Sequence, residues 1–179
     1  AQVVQIQQHE VNFLRELVQQ AQRNLGKYAT LKKLVCDKGF LDGAELWWLN
    51  EEGIIFVVPG KKDMAVVADA RALAEAGEEV YLGRRTRSVT HGQGKTRWRE
   101  GLETEVVGIE GLTTYDQYGP TEHAQQAHRK DFQGNPINGV VVRKWDNHDY
   151  GLGGKTVFLT NAAVHRPLVV FDDYDERSL

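Results

Sequence analysis

The 179-residue chain holds a single cysteine, a single methionine and only four prolines. A lone Cys36 closes no intramolecular disulfide, so packing and hydrogen bonds must hold the fold, and a reducing, cytoplasmic setting is expected. Between Val35 and Asp37, Cys36 reads as a small buried hydrophobe rather than a nucleophile. No apolar run approaches the roughly 20 residues of a bilayer-spanning helix, so no membrane partner is expected. The first residues, AQVVQIQQHE, show neither the basic nor the apolar part of a signal peptide. Also missing are a glycine-rich phosphate loop, a G-x-S-x-G nucleophile elbow and a dinucleotide fingerprint, which argues against the enzyme classes built on them.

An excess of positive charge is absent too. Lys and Arg number 22 against 25 Asp and Glu, a net charge of −3, which excludes a uniformly basic nucleic-acid binder. The charge is unevenly placed, however. Residues 84–99, RRTRSVTHGQGKTRWR, contain six Lys or Arg and no acid, whereas the tail FDDYDERSL is mostly acidic. A polyanion would meet the first stretch and avoid the second. Arg84, Arg85, Arg87, Lys95, Arg97 and Arg99 can neutralise phosphates, and His91 or Trp98 can stack on an unpaired base. A solvated basic face is the plainer reading of the same residues.

Periodicity divides the chain in two. Val11, Leu14, Leu17, Val18, Ala21 and Leu25 share one helical face, predicting an amphipathic helix over 9–25 that Gly26 ends. A short strand over 33–37 follows. Asp42 then stands as N-cap with Glu45 three residues on, a capping box, and Leu46, Trp47 and Leu49 to pack. IIFVV at 54–58 reads as a strand buried on both faces and stopped by Pro59-Gly60, and 63–76 as a helix closed by Gly77. Helix, strand, helix, strand implies a parallel βαβ unit. After Gly77, short β-type runs take over: EEVYL, TEVVGIEG, GVVVRKW, KTVFLTNA and PLVVF, with a polar loop over 119–138.

The strand over 33–37 ends on an acid, Asp37. Ligands of open α/β sheets bind beyond the carboxyl ends of parallel strands. A carboxylate there suits Mg²⁺, which favours one or two carboxylates together with waters and phosphate oxygens. The alternative is that Asp37 only caps the turn through Gly39. His123, His128 and His148 make no zinc site, because no cysteine or paired carboxylate completes a tetrahedral set. Asp146 and Asp149 read as loop solvation, and Asp172 and Asp173 as charge at a helix N-terminus.

Together these residues resemble insertion-sequence transposases of the DDE class. CDKGF, holding Asp37, is similar to the D-x-G-F element around the family's second catalytic aspartate. YDERSL looks like the start of its Y-(2)-R-(3)-E-(6)-K signature, with Tyr174 and Arg177 at matching spacing. The order of parts agrees over essentially the whole chain. The resemblance implies an α/β fold: a partial RNase H-like core over 1–77, a β-rich insertion subdomain over 78–170 and the start of the final catalytic-core helix over 171–179.

The resemblance also implies an activity: metal-dependent phosphodiester cleavage and strand transfer at transposon ends, with Asp37 catalytic and a ligand of Mg²⁺ or Mn²⁺. Two such metals roughly 3.5–4 Å apart activate the nucleophile and stabilise the leaving oxygen, and acids from several elements must converge on them. Tyr174 and Arg177 would position DNA-end phosphates, and the basic hairpin over 84–99 would lie on DNA. The family's first aspartate, and the glutamate and lysine of its signature, have no counterpart here. The expectation is therefore an internal fragment, inactive alone, of a bacterial or archaeal nucleoid-associated protein. That parent would act as a homodimer on transposon-end and target DNA. The alternative is a non-catalytic DNA-binding remnant acting through the 84–99 hairpin.

Overall fold

A computed structural model describes residues 13–77, 80–113, 137–149 and 156–176. Helix α1 (Leu14–Leu25) buries Leu14 and Val18 and stops where Gly26 takes a positive φ of 55°. Helix α2 (Gly43–Glu51) starts on Asp42, whose Oδ1 accepts the N–H groups of Ala44 at 2.9 Å and Glu45 at 3.3 Å. The Glu45 carboxylate binds Arg15 of α1 at 2.9 Å, tying the two helices together. Helix α3 (Ala65–Ala76) ends on Gly77, left-handed at φ 72°, whose N–H returns to the Leu73 carbonyl. No helix among the described residues is long and apolar enough to cross a membrane.

The strands are β1 (Lys33–Val35), β2 (Ile55–Pro59), β3 (Tyr81–His91), β4 (Trp98–Leu112), β5 (Ile137–Trp145), β6 (His148–Asp149) and β7 (Val157–Thr160). They form one mixed sheet in the order β1-β2-β7-β5-β4-β3, with β6 paired to β5. β1 and β2 are parallel, Leu34 opposite Phe56, as the βαβ pattern predicts. The remaining described pairings are antiparallel. β7 lies directly beside β2, with Val57 opposite Thr160, so strands from beyond Gly77 continue the sheet begun by β1 and β2.

Alternation along β2 sends its side chains to two apolar layers. Phe56 and Val58 pack with α1, α2 and α3, whereas Val57 packs with helix α4 (Pro167–Asp175) on the opposite face. Helical cover on both faces is why IIFVV reads as an unbroken apolar run.

Two expectations need correction. PLVVF is not a β-run but the first half of α4. Pro167 opens the helix where its missing N–H costs nothing, and burial of Val170 and Phe171 outweighs the β preference of the valines. Because α4 begins at Pro167 rather than 171, Asp172 and Asp173 fall in its second half, where the helix dipole disfavours acids. Cations from the sheet offset them: Arg85 meets Asp172, and Lys33 meets Asp173.

The approach to α4 is tight. A Cβ on Gly108 of β4 would lie 2.2 Å from the Val164 carbonyl oxygen, so the segment leading into the helix rests directly on bare backbone.

Candidate functional site

Alternation along β1 turns Lys33 and Val35 toward the α4 face. Val35 packs into the α4 cluster, while Leu34 and Cys36 pack into the other layer. Asp37 continues extended at φ −81° and ψ 163°, then caps the short 3-10 turn Lys38–Phe40, its Oδ1 accepting the Lys38 N–H at 2.6 Å. The capping alternative is thus realised. It leaves the other carboxylate oxygen of this exposed side chain without a protein partner among the described residues. Asp37 can therefore serve as one ligand of a divalent ion. Among the described residues no group of three His, Cys, Asp or Glu is placed to hold a metal, so they do not complete a site.

Beside β1, the outermost strand on its side among the described residues, runs a groove of about 340 Å³ whose walls are α1 (Leu14, Val18) and β1 (Leu34, Val35). Among the described residues that line it, Asp37 is the one that is charged.

Tyr174, on α4, lies against Phe158 of β7 with ring centroids 4.5 Å apart and is partly buried beside the α4 cluster, the position of a core aromatic. Arg177 lies outside the described residues, as do His123 and His128. His148 stands in β6.

The basic hairpin is formed by β3 and β4, paired from Tyr81 opposite Gly108 to His91 opposite Trp98. Its cations divide into two groups. At the base, Arg84 binds Glu105 at 2.6 Å. Arg85 reaches both Asp172 and Asp175 with its guanidinium 5.1 Å from the Phe171 ring centre. Arg87 binds both oxygens of Asp146. Asp146 is thus an ion-pair partner rather than a merely solvated loop acid. At the tip, Lys95, Arg97 and Arg99 are exposed and have no ion-pair partner among the described residues. His91 stacks on Trp98, ring centroids 4.4 Å apart and planes 21° from parallel. Its Nε2 lies 3.0 Å from Glu100 Oε2 but out of line for a hydrogen bond.

Local fields follow these contacts. Lys144, bonded to Glu103, holds that carboxyl below its ordinary value. Burial pushes the Asp172 carboxyl up, although Arg85 pulls the other way.

Sequence reading overlooked the acids that neutralise the hairpin base. Glu105 lies directly opposite Arg84, so the register set by the turn between His91 and Trp98 would have exposed it. Asp146, Asp172 and Asp175 are remote along the chain and carry no local signal.

No protein-family model matches the chain, and no curated protein matches it.

Proposed function

We propose that the chain is part of a DDE-class transposase in which Asp37 is one of the acids that hold Mg²⁺ or Mn²⁺ for phosphodiester cleavage and strand transfer at transposon ends. One observation carries the reading: Asp37 lies just past the carboxyl end of β1, a strand paired in parallel with β2, and keeps one carboxylate oxygen open among the described residues. A carboxylate with an open oxygen beyond a parallel strand is a ligand that a divalent ion of phosphoryl transfer can take. On this reading β1 and β2 with α1, α2 and α3 belong to an RNase H-like core, and β3 to β7 form its insertion. Asp37 contributes one carboxylate oxygen to the metals, the remaining acids coming from beyond the described residues. The parent protein acts as a homodimer on transposon-end and target DNA, in the cytoplasm near the nucleoid.

Transposition by the protein containing this chain tests the proposal. Asn at position 37 keeps the turn cap but loses the negative charge. Asp37→Asn is therefore expected to abolish transposition without unfolding, while Asp63→Asn, at an exposed site, leaves it intact. Unchanged transposition by Asp37→Asn rejects the reading. The 179-residue chain alone is expected not to nick supercoiled plasmid with Mg²⁺ or Mn²⁺. The unpaired tip cations favour a second reading, DNA binding without catalysis, under which salt-sensitive retardation of DNA persists and transposition never depends on Asp37.

A further inference from the structure

We infer that the nucleic-acid surface of the hairpin is its tip, residues 91–99, and that the tip takes an unpaired DNA strand. The inference rests on the reading of the hairpin as a DNA-contact element and narrows it.

Arg84, Arg85 and Arg87 each hold a carboxylate of this chain, so none releases a counterion from a phosphate without first breaking an internal pair. Lys95, Arg97 and Arg99 carry no such debt. The aromatic pair points the same way. One face of the Trp98 indole is covered by His91, and the side chain is still 55% exposed, so the other face is open to a ring of similar size. His91 lies nearly parallel to the indole and backs that face. An aromatic face beside free cations is how proteins take single strands without sequence preference, because every base has a π-face. A duplex buries its base faces and would meet only the cations. Lys95 and Arg97 lie in the connecting turn next to Trp98, and Arg99 on the opposite ribbon face, where it can meet a phosphate as the strand passes the tip.

Fluorescence anisotropy with a labelled oligo-dT and a duplex of equal length tests this on the full 179-residue chain. The oligo-dT is expected to bind more tightly, with a log–log salt slope of about −2 for three neutralised phosphates, against about −4 for all six cations. Trp98→Ala is expected to weaken oligo-dT binding about ten-fold and Trp98→Tyr much less. Arg97→Ala should reduce the slope by about 0.7, and Arg84→Ala should change neither slope nor affinity. The inference fails if the duplex binds as well as the single strand, if the slope approaches that of six cations, if Trp98→Ala binds normally, or if neither DNA binds. Asp37→Asn separates it from the transposase reading: tip binding by that variant should match the unsubstituted chain whether or not transposition is lost.

Discussion

The two edges of the sheet follow opposite plans. β3 is eleven residues long, carries arginines on both faces and sets each against a carboxylate. β1 is three residues long, borders an apolar groove and spends its lysine on α4. A long edge is a template for unwanted pairing, and charge is a common way to blunt it. Compensated charge does this for β3 without the self-repulsion that a bare row of arginines would bring. β1 relies on brevity. Helix α4 joins the two plans, because Asp173 reaches Lys33 on one edge while Asp172 and Asp175 reach Arg85 on the other.

Removing the helix anchor should erase the contrast. Phe171 is fully buried between Trp145 and Phe158, so Phe171→Ala is expected to cost about 3–5 kcal/mol in urea unfolding and to free both edges from α4. Arg85→Ala attacks the β3 side alone. It strands Asp172 and Asp175 near the helix C-terminus and should cost about 1–2 kcal/mol, between the worth of an exposed and a buried pair.

The β1 side is probed through association. Cys36 N–H donates to the Val57 carbonyl and the Lys32 carbonyl accepts from Ile55, so alternation aims the Val35 N–H away from the sheet. The chain is expected to self-associate with rising concentration, and Val35→Pro, which deletes that donor, to weaken association about ten-fold, or about 1.4 kcal/mol. Light scattering that shows only monomer at every concentration would mean that shortness alone protects this edge.

The smallest effect concerns acid. Because burial raises the Asp172 pKa above 3.8, the folded chain holds more protons than the unfolded one just above that pH. Stability from this group is therefore fully present below the unfolded pKa and lost as pH rises through the folded one. Asp172→Asn should flatten that slope and shift neutral-pH stability upward by no more than about 0.5 kcal/mol, read from urea midpoints across pH.

Local rules made much of this legible. The apolar stripe of α1, the Asp42 cap, the αL glycine after α3 and the parallel pairing of β1 with β2 each depend on residues close in sequence. PLVVF misled because a five-residue apolar run fits strand and helix alike, and only the packing of Phe171 between distant aromatics decides. The hairpin was recognisable, but the division of its cations was not, since three of the four neutralising acids arrive from β5–β6 and α4. Asp37 was placed at its strand end by pattern alone.

The resting place of α4 is set partly by an absent methyl group. Any side chain at Gly108 would strike the Val164 carbonyl and lift the backbone that launches α4. The helix would then be re-aimed relative to Lys33 and Arg85, its partners on the outer strands, without either being altered. Position 108 is thus an alignment point, where a substitution acts mechanically on contacts far from itself.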